Sequence, residues 1–253
     1  MAETNLVKTL VKSLKVLECF ANGGRELGNS EVAKLLGMNK SNSHDILQTF
    51  VRMGYMEQDP TTLKYSLSVK MLEFSSSVNQ HIGYYRVVYD IMDQLADTVE
   101  SVVYFSIPHD TDVLYLYSSH PKAQRKSFPY RPVGGELCPM YCSSMGKAML
   151  AFAGTELMEK MKGRELIKFT DITIDSYEGL EREIQGIRDK GYAVDRGEHE
   201  YGIGAVGVPV FDPRRNLIAA MSICVTVSAL TKENVFIFSE KLKEAAFQIR
   251  MRL

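Results

Sequence analysis

"GMNKSNSHDILQTFVRMGY", residues 37–55, is polar through its first third and apolar after it. Read as one helix, it opens with Asn39, Lys40, Ser41, Asn42, Ser43, His44 and Asp45, while Ile46, Leu47, Phe50 and Val51 recur at the three- and four-residue spacing of a buried stripe. Asn39 is placed to cap it and Gly54 to end it. Upstream, Val7, Leu10, Val11, Leu14 and Leu17 form another helical stripe, interrupted by the glycines of "ANGGREL", residues 21–27. A short helix then begins near Asn29 or Ser30, either able to cap it, with Glu31 in its first turn and Val32, Leu35 and Leu36 facing inward. Gly37 fits the left-handed position just past its end. Two helices joined by so tight a turn read as helix-turn-helix. After Gly54, "YMEQ" and "LKYSL" alternate around "DPTT", with Leu63, Tyr65 and Leu67 on one face, which makes a hairpin wing.

A polar front and an apolar back are what docking in a major groove requires: the rear of the second helix packs on the core, and its first turn meets base edges and phosphates. Lys40, Ser41, Asn42, Ser43 and His44 are the candidates to face double-stranded DNA, with Lys64 on the wing touching backbone. A merely solvated helix start would need neither the wing nor the short preceding helix. The formal net charge of -1 excludes a polyanion-binding surface over the whole molecule. Residues 1–80 carry nine Lys or Arg against eight Asp or Glu, so any nucleic-acid surface is a local cluster.

At 253 residues and 45% hydrophobic, the chain is long enough for two cores. The expected divisions are a winged helix-turn-helix over 1–68, a helical linker over 69–82 built on "SVKMLEFSSSVNQH", and a larger domain over 83–253. No apolar run approaches the roughly 18 residues of a membrane-spanning helix, and "MAETNLVK" lacks the layout of a signal peptide, so a cytoplasmic protein without a membrane partner is expected. Cys19, Cys138, Cys142 and Cys224 are too few and scattered for a disulfide framework.

In the larger domain, Tyr84, Val87, Val88, Ile91, Met92 and Leu95 form an amphipathic helix, and "SVVYFSI" and "VLYLYSS" read as strands joined by "PHDTD". A turn-rich passage, 120–142, precedes a helix starting near Ser143 or Ser144; helices follow over 155–162 and 176–190. The strands "GYAVD", "AVGVPVF" and "NLIAAMSICVTV" and a final helix from about Lys232 complete an α+β domain, an antiparallel sheet flanked by helices.

The last strand has unequal faces. Leu217, Ala219, Met221, Ile223, Val225 and Val227 share one, and Ile218, Ala220, Ser222, Cys224 and Thr226 share the other, small enough to leave room for a ligand. Ser143 and Ser144 at a helix start suit an anion such as a carboxylate, and Asp195, Glu198 and His199 supply polar groups after "GYAVD". Close packing, a plain helix cap and a solvated turn are the respective alternatives. An enzyme using Cys142 and His199 is the alternative class; C-x3-C around Pro139 with His199 or Cys224 also has the makings of a metal site, but no second closely spaced pair supports zinc. "PVGGEL" and "YGIGAVG" fit no nucleotide fingerprint, and neither a cofactor nor a metal is expected.

The order of these elements, with "LVKSLKVLECF", "SSMGKAMLA", "GYAVDRGEHEYG" and "AVGVPVFDPRRNLIAAMSI", closely resembles the IclR family of bacterial transcription regulators. The resemblance implies a GAF-like effector domain, a homodimer or homotetramer, and small organic acids as effectors. It places effector contacts on Ser143, Ser144 and Met145, on Asp195, and on Ser222 and Cys224. Where many members carry a Thr, an aromatic and an Arg in the recognition helix, this chain has Asn42, His44 and Asp45; the carboxylate of Asp45 repels phosphate, so the operator, or the strength of binding, should differ. The expected function is a ligand-responsive repressor of a catabolic operon.

Overall fold

The seven residues "NSEVAKL" behind a glycine begin the helix pair in the computed structural model, which describes residues 6–21, 26–123 and 133–253. Helix α1 spans Lys8–Glu18, α2 Asn29–Leu35 and α3 Lys40–Arg52, followed by strands β1 (Met56–Gln58) and β2 (Tyr65–Leu67) and helix α4 (Met71–Ile82). The wing is antiparallel, with Met56 opposite Leu67 and Gln58 opposite Tyr65. Val16, Phe20, Val32, Leu47, Met56 and Tyr65 close one core. Gln48 ties α3 to the wing, its amide donating to the Tyr65 hydroxyl at 3.0 Å and to Gln58 Oε1 at 3.1 Å.

Several local expectations are corrected. Helix α2 is capped by neither Asn29 nor Ser30: Gly28 is the N-cap, and its N–H donates to Glu31 Oε2 at 2.7 Å, so the carboxylate does the capping. Leu35 is 56% exposed, because the buried face centres on Val32 and Ala33, roughly a third of a turn away. The Leu10 and Leu14 side of α1 faces away from this core, which Val16 and Phe20 fill instead. Leu63 adopts φ +58° in the wing turn and stays exposed rather than sharing a strand face with Tyr65. Gly37, at φ +60°, ends α2 as its position requires.

The chain divides into two compact units, Met1–Ile82 and Gly83–Leu253. In the second, α5 (Tyr85–Val99) leads into β3 (Val102–His109), β4 (Asp112–Ser119) and β5 (Leu137–Pro139). A 3-10 turn, Met140–Cys142, then enters α6 (Ser144–Phe152), α7 (Thr155–Met161) and α8 (Tyr177–Lys190). Strands β6 (Ala193–Asp195), β7 (Ile203–Phe211) and β8 (Leu217–Thr226) and helix α9 (Lys232–Arg252) complete it. All neighbours in the sheet, ordered β5-β4-β3-β8-β7-β6, are antiparallel. Strand β5 falls in the passage read as turns; three residues give no alternation to detect.

Val103, Phe105, Val206, Val208, Met221 and Ile223 point to one face and pack with α5 and α9. The other face, with Val113, Ala193 and Ala220, packs with α6 and α8. A bulge opposite the Val210–Phe211 step of β7 exchanges the expected sides at the start of β8: Leu217 joins Ala220, and Ile218 joins Ala219 and Met221. None of the described helices is long and apolar enough to cross a membrane.

Candidate nucleic-acid interface and ligand site

The α3 entry is fixed from two directions: Asn39 Oδ1 accepts from the Asn42 N–H at 2.8 Å, and the Asn29 amide donates to the Lys40 carbonyl at 3.0 Å. This leaves Lys40, Ser41, His44 and Asp45 exposed and Asn42 half-buried. Ser43 is the correction: it is 0% exposed and its hydroxyl has no hydrogen-bond partner, so it faces the core beside Leu47 and cannot reach a base. The signal was the helical phase, since Ser43 stands three, four and seven residues before Ile46, Leu47 and Phe50 of the buried stripe. His44 Nδ1 lies 3.8 Å from Asp45 Oδ1, which sets a carboxylate beside the candidate readers. Lys64 is exposed on the wing, next to a turn in which Asp59 Oδ1 accepts from the Thr61 and Thr62 N–H groups, each at 2.7 Å.

In the second unit, the alternation of small and branched residues in "AVGVPV" turns Val206, Val208 and Val210 to the α9 side and leaves Ala205, Gly207 and Pro209 on the opposite face. Gly207 pairs with Ser222, which pairs on its other side with Tyr104; Ala205 lies between Asp195 and Cys224. Tyr104 and Tyr115 meet edge to face at 5.4 Å. Helix α6 roofs this face so closely that a Cβ on Gly207 would sit 2.7 Å from the Ser144 carbonyl carbon. Ser143 caps α6, its Oγ accepting from the Gly146 N–H at 3.1 Å, while Ser144 is buried. The Ser106 hydroxyl donates to Met145 Sδ at 3.1 Å.

The expected polar residues thus fall into three groups. Ser144, Met145, Ser222, Asp195 and Cys224 line the small-residue face. Glu198 is taken by Lys147, which is 1% exposed; its Nζ lies 2.5 Å from Glu198 Oε1, 2.8 Å from the Val194 carbonyl and 3.2 Å from Glu183 Oε1. His199 goes to the thiols of Cys138 and Cys142, with its ring 4.8 Å from that of Phe169. Lys147, Tyr104 and Tyr115 were not singled out by sequence; strand alternation alone does not say which face a tyrosine takes.

Burial raises the Asp195 carboxyl above its usual range, although Oδ1 accepts from the Glu198 N–H at 2.7 Å and the Gly197 N–H at 2.9 Å, which opposes the rise. Burial likewise raises Glu198 against the pull of Lys147, and pushes the Cys224 thiol up to about 11. A hydrogen bond from Cys142, with one from His199, lowers Cys138 to about 6, while Cys142 itself is raised by the same thiol pair. The same hydrogen bond with Cys138 raises the His199 imidazole above its usual range, against its burial.

Comparison with known proteins agrees in both units. The model for the IclR helix-turn-helix domain matches residues 9–60, and that for the bacterial transcriptional regulator IclR C-terminal matches residues 77–251. The chain is 27% identical over 249 residues to the HTH-type transcriptional regulator XynR of Escherichia coli, spanning 98% of each. It superposes with a TM-score of 0.82 on an IclR transcriptional regulator from Alicyclobacillus acidocaldarius, 25% identical and covering 97% of this chain and 98% of that one. An IclR homolog from Microbacterium hydrocarbonoxydans, complexed with 4-hydroxybenzoate, shares the fold with a TM-score of 0.79 at 21% identity, over 96% of this chain and 98% of that one. A DNA-reading helix pair joined to a helix-flanked sheet, matched over nearly its whole length, places this chain in the IclR family of bacterial transcriptional regulators.

Proposed function

We propose that this regulator is a cytoplasmic repressor of a catabolic operon that responds to a small organic acid held on the α6-facing side of the sheet. Residues 1–68 read DNA, 69–82 link, and 83–253 sense. Lys40, Ser41, Asn42 and His44 are the readers of the major groove, and Lys64 is the backbone contact of the wing. The observation that carries the sensing role is the small-residue face of Ala205, Ala220 and Ser222, bordered by Asp195 and Cys224, beside the point where the α6 main chain closes on Gly207. First-turn N–H groups and a serine hydroxyl suit a carboxylate. Burial raises the Asp195 carboxyl above its usual range, which lessens its repulsion of such a ligand. The aromatic acid in the Microbacterium protein makes aromatic acids the first class to test.

Two copies, reading half-sites separated by a whole number of helical turns, change their relative placement when the acid binds. Genomic fragments captured by the full-length protein give the operator, and its affinity is then measured with a panel of organic acids across a salt series. The expected result is sequence-selective, salt-dependent binding that one class of acid weakens. Binding indifferent to sequence and salt overturns the DNA assignment, and affinity unchanged by every acid overturns the sensing assignment.

A further inference from the structure

We propose that Cys138, Cys142 and His199 form a site for one zinc ion, with the fourth coordination position left to water. The sulfur atoms and an imidazole nitrogen all lie within 4.8 Å of one another. Tetrahedral zinc, with bonds of about 2.3 Å to sulfur and 2.0 Å to nitrogen, sets its ligand atoms about 3.5–3.8 Å apart, so the three donors close on an ion with movements of roughly 1 Å. Sequence spacing argued against this site because it offered one C-x3-C pair and no second; the fold supplies the missing donor from the distant β6–β7 loop.

That loop is held rather than free. Asp195 Oδ1 accepts from the N–H groups of Gly197 and Glu198, and the hydroxyls of Thr170 and Thr173 donate to the carbonyls of Gly197 and Glu198 at 2.8 and 2.6 Å. His199 is therefore presented on a backbone tied at both preceding residues, which lowers the ordering cost of ligation. The opposite donors come from the end of β5 and the 3-10 turn, with Cys138 4% and Cys142 0% exposed. Two thiols and an imidazole without a carboxylate select zinc-class ions over magnesium or calcium. Among the described residues, only these three group closely enough to hold an ion, so no fourth protein donor completes the shell, and the geometry is that of an exchangeable site rather than a closed structural one. Binding releases the thiol protons to solvent, since the thiolates are the ligands.

The inference goes beyond the regulatory reading and does not depend on it, because the test reads the metal directly. Full-length protein, reduced and freed of metal with a chelator, is titrated with cobalt(II) as the spectroscopic stand-in for zinc. One equivalent should give thiolate-to-cobalt charge-transfer absorption and the intense visible bands of a four-coordinate ion, both abolished by added zinc. Cys142→Ser and His199→Ala should each weaken binding by more than the roughly 10–100-fold that follows loss of a residue merely supporting a ligand. Cys224→Ser should bind as the parent does. Circular dichroism checks folding, and if Cys142→Ser does not fold, His199→Ala carries the decision from its loop position. A parent spectrum without charge transfer, or one that His199→Ala leaves unchanged, overturns the site.

Discussion

Lys147→Met removes an ammonium that is 1% exposed and lies 2.5 Å from Glu198 Oε1, 2.8 Å from the Val194 carbonyl and 3.2 Å from Glu183 Oε1. The Glu183 side chain is 41% exposed and solvent compensates it, so the loss concentrates on Glu198. That residue is buried, and its Oε2 has no hydrogen-bond partner. Removing one member of a buried ion pair costs about 3–5 kcal/mol. At about 2–4 °C per kcal/mol for a domain of this size, the melting temperature should fall by roughly 6–20 °C.

The pH dependence has a definite sign. Burial already holds the Glu198 carboxyl above its ordinary value despite Lys147, and without the ammonium it rises further. The folded state then keeps a proton that the unfolded chain releases, so this group's contribution is fully present below the ordinary carboxylate range and is lost as pH rises through the raised value. The deficit of Lys147→Met should therefore be larger near about pH 8 than near about pH 5. Adding Glu198→Gln removes the stranded charge and should restore most of the loss. Urea unfolding followed by circular dichroism at both pH values measures this. A single variant within about 1 kcal/mol of the parent near neutral pH, or a double variant no more stable than the single, refutes the reasoning.

Three further outcomes follow from the geometry. Gly207→Ala places a Cβ 2.7 Å from the Ser144 carbonyl carbon, a backbone atom that cannot swing aside. It should destabilise by about 1–3 kcal/mol in thermal melting, and an unchanged melt would mean that α6 has slack there. Ser43→Ala deletes a buried hydroxyl without a partner. It should leave operator affinity unchanged and raise stability by up to about 1 kcal/mol; weaker DNA binding would return Ser43 to the set of readers. Lys40→Ala, at an exposed α3 position, should weaken binding to all sequences alike and reduce the salt slope of log affinity by about 0.9, as measured by fluorescence anisotropy.

Long periodic elements were legible in the sequence, because amphipathic spacing in α3, α5 and α8 reports one dominant buried face, and β7 and β8 read as apolar runs whose two faces are both buried. The misses have local causes. Glu31 displaced Asn29 and Ser30 as the α2 cap because a carboxylate three residues in reaches back to the Gly28 N–H, and the two candidates cannot be ranked by side-chain type alone. The exchange of Leu217 and Ile218 followed from a bulge, which shifts parity without altering composition. At the candidate site, the small face of β8 was readable, whereas its continuation onto Gly207 and the gathering of Cys138, Cys142 and His199 depend on pairings between distant segments. Lys147 was hidden by its type, since a lysine inside a helix reads as solvated until its acidic partners are located.

Between α6 and β7, main chain rests on main chain, with only the hydrogen of Gly207 separating them. Side chains normally act as upholstery, changing rotamer to absorb a push, and none is present at this spot. Whatever enters under the opening turn of α6 must lever the strand itself, and α9 leans on that strand from the reverse side. A shift of α6 at this point would pass straight to β7 and on to α9, with no rotamer change to absorb it.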